Sequence, residues 1–171
     1  SYSPDGKRFA FNRHPMVWWR KHYRGSFAAD LWVMDVAGKT FKKLIADEFE
    51  GNYFWPLWGN GFIYFVSDRE PAGGALKAGA AGVMASANNI WKVPEGGGKP
   101  VRVTNHRNGN VFWPSISSDG RVIVYENDFG LWKLDTQTGQ ASEIKVDLSS
   151  DEKENVLETV TYNSQADSYH L

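Results

Sequence analysis

Between positions 13 and 24 the sequence crowds Arg13, His14, Arg20, Lys21, His22 and Arg24 among Trp18, Trp19 and Tyr23. That mixture suits one chemistry. Guanidinium and ammonium groups grip a carboxylate through charge-assisted hydrogen bonds, and aromatic faces hold cations and side chains beside it. The C-terminal end of a peptide offers those partners, so Trp19, Arg20, Lys21, Tyr23 and Arg24 are the expected peptide-binding residues. A second reading of the same residues needs no ligand. In it Trp18, Trp19 and Tyr23 pack the loop onto its sheet, the cations face water, and Arg24 before Gly25 caps neighbouring carbonyls.

Other chemistries find less to work with. Nucleophilic catalysis needs a Ser beside a base and a pair of oxyanion donors. None of His14, His22, His106 and His170 stands in a motif tied to a Ser, and RGSFA is not a Gly-x-Ser-x-Gly elbow. No catalytic residue is therefore expected. His14 and His22 are separated by a loop without a carboxylate, and Asp30 reads as the start of a strand, so neither a metal site nor a cofactor is expected. The SPDG and SSDG stretches offer one Asp each, too few for a calcium loop; Asp-Gly between strands is turn chemistry. A second insertion, 70–88, is rich in Gly and Ala. It reads as a short helix interrupted at Gly79 and Gly82, a lid near a pore, or a passive surface loop.

The elements that must position these residues are strands. The 171 residues are 15% aromatic and include eight Trp, side chains that suit a pleated, half-buried surface. Seventeen Gly and seven Pro supply turns. A net charge of −1 generates no field to draw nucleic acid or a membrane surface, and neither is expected as a partner. There are no Cys, so disulfides, thiolate metal sites and thiol catalysis are excluded. Opening at Ser1 inside the turn SYSPDGK, the sequence reads as the middle of something longer.

Self-similarity then fixes the architecture. NYFWPLWGNGFIYFVSDR (52–69) is echoed by NVFWPSISSDGRVIVYEN (110–127), and SPDGKRFAFNR (3–13) repeats the second half of both. An apolar-Trp strand follows each time, DLWVMD, NIWKVP and GLWKLD, and then a Gly-containing turn into a basic or polar strand. Trp32, Trp91 and Trp132 are 59 and 41 residues apart. The shorter interval matches the ~40–45 residues of a four-stranded propeller blade; the roughly eighteen extra residues of the longer one are the second insertion. Strands are expected at about 8–13, 30–35, 40–45, 53–58, 62–67, 89–94, 100–104, 112–116, 121–126, 130–135 and 142–146. The predicted fold is all-β, a propeller of four-stranded antiparallel blades with about three present. The modules run approximately 1–52, 53–111 and 112–148, and 149–171 serves as connector and first strand of the next, with DSYHL innermost. A β-sandwich does not explain the recurring Trp, and a solenoid wants a shorter repeat. Three blades leave the ring incomplete, since propellers use about four to eight. Either further blades close it or a second copy does, as a homo-oligomer.

SPDGKRFAF, FVSDR, NIWKVPEGGGKPVRVT and DGRVIVYENDFGLWKLD resemble TolB and tricorn-type propeller repeats. WWRKHYRGSFAADLW resembles the Trp-basic-Tyr-Arg-Gly segment ahead of a Leu-Trp strand in tricorn proteases and their bacterial homologues. The tail, SSDEKENVLETVTYNSQADSYHL, is similar to the connector between that family's first and second propellers. The resemblance covers essentially the whole chain. It implies a segment of the N-terminal propeller of a tricorn-like serine peptidase, non-catalytic itself, that scaffolds and gates peptide passage to or from a distant Ser/His active site. The implied partners are peptides and the rest of such a peptidase: further blades, a second propeller, a PDZ-like domain and the catalytic domain. The basic residues that anchor peptide carboxylates in the family's product-exit propeller have no assignable match here. Archaeal members suggest a cytoplasmic home and bacterial relatives an exported or periplasmic one. Two alternatives carry no protease. One is a stand-alone TolB-like propeller that docks a protein partner. The other, a sugar-lyase or lectin-type propeller, needs His, Arg and Gln at its pore, where YFWPLW and VFWPSI are mostly apolar.

Overall fold

A computed structural model describes residues 1–14, 18–20, 23, 25–46, 51–69 and 87–147. Its strands fall into three antiparallel meanders, each joined in sequence order. The first sheet holds Arg8–Arg13 (β1), Asp30–Asp35 (β2) and Thr40–Lys43 (β3). The second holds Tyr53–Gly59 (β4), Phe62–Ser67 (β5), Asn89–Pro94 (β6) and Val101–Arg102 (β7). The third holds Val111–Ile116 (β8), Val122–Asn127 (β9), Gly130–Asp135 (β10) and Ala141–Ile144 (β11). The expected all-β blade architecture is thus what the chain forms. The first sheet has only a trace of an innermost strand, the bridge between Tyr2 and Phe9 and the mutual hydrogen bonds of Ser1 and Ala10. The acidic tail from Ser149 and DSYHL lie outside the described residues, as does most of the second insertion.

The repeated Trp occupies one register slot. Trp32 pairs with Phe11, Trp91 with Phe65 and Trp132 with Tyr125. The sheets converge along β1, β4 and β8, since β4 touches β1 and β8, and they stack through alternating side chains. In β5, Ile63 and Phe65 join Ala10, Leu31, Val33 and Leu44 of the first module, while Tyr64 and Val66 join Val111, Ile123, Tyr125 and Leu134 of the third sheet. A period of two therefore sends consecutive residues into two separate cores. Each fully buried Phe, Ile or Val contributes about 1.5–3 kcal/mol through apolar burial.

Polar contacts fix the stacking. Arg8 bridges to Glu95 at 3.1 Å and lies 4.9 Å from the Trp58 ring, whose Nε1–H donates to Glu95 at 3.0 Å. Asn60 donates to the Gly120 carbonyl at 2.8 Å. A Cβ on Gly59 would stand 2.7 Å from Ile116 Cδ1 and 3.2 Å from Gly120 Cα, so glycine lets the two sheets approach without displacing Ile116. β7 is shorter than expected for an identifiable reason. The Ile90 amide donates to the Thr104 hydroxyl at 2.9 Å rather than to a backbone carbonyl, and the ladder stops.

The echoed Trp-Pro has a structure of its own. The register of β4 breaks between Phe54 and Leu57, and that of β8 between Phe112 and Ser115. At each break the Trp is left-handed, with φ of 47° at Trp55 and 50° at Trp113, a conformation bulky residues seldom adopt. The following Pro has no N–H to offer. Bulge and Pro together blunt the edge of the innermost strand against further strand pairing.

Candidate functional site

The first insertion, HPMVWWRKHYRGSFAA (14–29), joins β1 to β2, and the described part of it folds toward the innermost strands. Trp18 meets Trp19 edge-on at 5.5 Å and Phe112 of β8 edge-on at 5.1 Å. Phe112 in turn lies 6.3 Å from Trp55, which is 5.5 Å from Trp113. A segment from the first sheet thus reaches the third, across the second, and completes a line of aromatic rings along β4 and β8. Trp19 and Trp113 present the open surface of that line, being 63% and 61% exposed.

Of the expected peptide-binding residues, Arg20 and Tyr23 come together, and Trp19 packs on Trp18. The Arg20 guanidinium sits 4.6 Å from the Tyr23 ring centre, a cation–π contact that holds the cation at the surface. The Tyr23 phenol lies where a Cβ on residue 25 would stand, so Gly25 is what lets it fold there. Lys21 and Arg24 lie outside the described residues. Arg13, also in the basic cluster, lies 5.1 Å from the Trp32 ring.

The residue that seats the insertion was not singled out by sequence reasoning. Asn52, fully buried, donates through Nδ2 to the Arg20 carbonyl at 3.4 Å and accepts from the Ala29 amide at 3.4 Å. It is itself held by Asp68, which accepts from its amide at 2.9 Å and its Nδ2 at 3.0 Å. A buried Asn–Asp pair, with its hydrogen bonds made inside the protein, thus fastens the insertion at two points. Its signal was the Asn that opens both echoed stretches, Asn52 and Asn110.

The Asp-Gly turns use their carboxylates internally. Ser3 Oγ donates to Asp5 at 2.6 Å and Ser117 Oγ to Asp119 at 2.6 Å, and these bonds lower both carboxyl pKa values. Near β8, the Tyr125 hydroxyl and His106 Nε2 are 2.9 Å apart. Burial pushes the Tyr125 phenol up. Burial, with Arg102 nearby, pushes the His106 imidazole below 6.5. The neutral phenol and the neutral imidazole thus share one hydrogen bond, whose direction follows the imidazole tautomer.

Stacked antiparallel meanders of three, four and four strands, converging on their first strands and marked by one Trp slot, define a segment of a β-propeller. Residues 1–140 match the family model described as the tricorn protease N-terminal beta propeller domain, and the chain belongs to that family. It is 28% identical over 133 residues to a tricorn protease homolog of Saccharolobus solfataricus, covering 78% of this chain and 11% of that protein. It is 28% identical over 123 residues to tricorn protease homolog 1 of Streptomyces coelicolor, covering 72% and 10%. The chain thus spans about a tenth of the length of these relatives. Among solved structures, the tricorn protease superposes over 86% of this chain and 13% of its own with a TM-score of 0.63 at 21% identity. A putative TolB from Agrobacterium tumefaciens gives 0.58 at 20% identity, over 83% and 46%. At such identities these two likenesses speak for the fold.

Proposed function

We propose that this propeller segment scaffolds and gates the passage of peptides to or from a serine-protease active site elsewhere in its protein, with Trp19, Arg20, Lys21, Tyr23 and Arg24 as the peptide-binding residues. The observation that carries the reading is the seat of Trp18 on Phe112. Trp18 lies against an innermost strand, the part of a propeller that faces its channel, and this supports a site there rather than on the outer rim. The bulged, Pro-bearing edges of β4 and β8 disfavour a peptide that adds as an extra strand. Exposed indoles and a surface guanidinium offer side-chain and carboxylate contacts instead, which tolerate varied sequences and suit passage more than retention. In this reading the partners are peptides and the catalytic and neighbouring domains of a tricorn-type peptidase.

The test replaces Arg20 and Arg24 together by Ala in the intact protein and compares cleavage of peptides with free and amidated C-termini. The preference for free termini is expected to fall by roughly tenfold, the scale of a lost charge-assisted hydrogen bond. An unchanged preference overturns carboxylate capture at the insertion.

A further inference from the structure

The Trp slot recurs in all three sheets, but its charges do not. In the first sheet Arg13, two residues beyond Phe11 on β1, lies 5.1 Å from Trp32, and Lys43 pairs opposite that Trp. In the second, Arg69 lies 5.8 Å from Trp91, and Arg102 pairs opposite it. Each of these indoles has an arginine of its own. In the third sheet the position of Arg13 is taken by Asn127, two residues beyond Tyr125, and the residue opposite Trp132 is Glu143. Donors have become acceptors around the same indole.

The space is open as well. Asn89 of the second sheet, two residues before its Trp, is filled in by hydrogen bonds with Thr104, His106 and Ala87. Its counterpart in the third sheet is Gly130. A Cβ there would stand 3.1 Å from Trp132 Nε1 and 3.2 Å from Glu143 Oε1, and without one a hollow of about 290 Å³ remains. Asn127, only 4% exposed, lines the hollow, and its Oδ1 has no hydrogen-bond partner. A buried carbonyl oxygen without a donor costs about 1–3 kcal/mol, so the site favours a ligand that brings N–H groups. Asp128 adds a second carboxylate to the lining and Arg107 one cation, leaving the acids in excess. The edge of His106 meets Trp132 at 4.8 Å; held neutral by burial, it does not repel a cation near pH 7.

We infer that this hollow binds the arginine side chain of a peptide, its guanidinium against the Trp132 indole, forked onto the Glu143 carboxylate and donating to Asn127 Oδ1. Arginine is the occupant because the other two slots already hold one, and because a planar five-donor fork matches a carboxylate, an amide oxygen and an indole at once. The site is separate from the insertion and stands without it.

Acetyl-arginine amide is the probe, titrated calorimetrically into the intact protein against acetyl-citrulline amide, its uncharged isostere, and acetyl-lysine amide. The arginine compound is expected to bind at least about tenfold more tightly than citrulline and several-fold more tightly than lysine. Glu143→Gln, at the surface and not needed for folding, is expected to weaken it about fivefold or more. Arg107→Ala keeps or strengthens binding by removing a like charge, and Arg20→Ala leaves it unchanged, which separates this site from the insertion. Equal binding of arginine and citrulline, loss of binding in Arg107→Ala, or indifference to Glu143→Gln each overturns the inference.

Discussion

The second and third sheets are written in nearly the same words and live in different surroundings. In the second, β5 is buried on both faces: Ile63, Tyr64, Phe65 and Val66 are all at or below 1% exposure. In the third, β9 alternates, with Ile123, Tyr125 and Asn127 buried and their neighbours half-exposed, and Leu131 of β10 reaches 41% exposure. Polar groups differ less sharply. In the second module Asn52 pairs with Asp68 and Asn89 with Thr104, while Asn88 Oδ1 has no partner; around the third sheet Asn110 and Asn127 each keep an unpartnered Oδ1. A repeat thus specifies the strands and the register. What a blade does with its ends depends on the few positions where the copies diverge: Ser67 against Asn127, Asn89 against Gly130, Arg102 against Glu143.

The largest break of the comparison comes from its cores. Phe65→Ala, in the middle sheet, is expected to cost about 3–5 kcal/mol by emptying a position packed on all sides. Leu131→Ala, on the open face of the third, should stay within about 0.5 kcal/mol. Chemical denaturation of the two variants checks this, and equal losses would mean that the middle sheet is not enclosed.

A smaller effect sharpens the view of the polar ends. The depressed pKa of His106 means that the unfolded chain binds more protons than the folded one between the folded value and 6.5. Stability is therefore full above the unfolded value and declines as pH falls below it. The melting temperature should drop as pH is lowered through that window, and His106→Gln should remove part of the drop. A flat profile between neutral and mildly acidic pH would contradict the burial of the His106 imidazole beside Arg102.

Much of this fold was legible in the sequence because strands announce themselves by local means. Phe9 and Phe11, or Val122 and Val124, alternate at the strand period, and Gly6, Gly61 and Gly120 sit at positive φ in the predicted turns. The basic insertion was legible too, as a composition. What it touches was not: the contact of Trp18 with Phe112 joins residues of different sheets, and no spacing rule encodes it. The left-handed Trp55 and Trp113 left only the trace of a Pro inside a strand. Asn52 and Asp68 looked like ordinary strand-end polar residues, because only the fold brings the insertion's backbone to them. The charge reversal at Glu143 was visible in ASEIKV, yet it acquires meaning only when the register sets it opposite Trp132.

The account rests most on the insertion of the first sheet being seated on the innermost strand of the third. A double-mutant cycle of Trp18→Ala and Phe112→Ala, read by denaturant unfolding of the intact protein, addresses that contact alone. A coupling of about 0.5–1.5 kcal/mol is expected for an edge-on aromatic pair in contact. Strict additivity of the two substitutions would show that the insertion lies elsewhere and contradict the account.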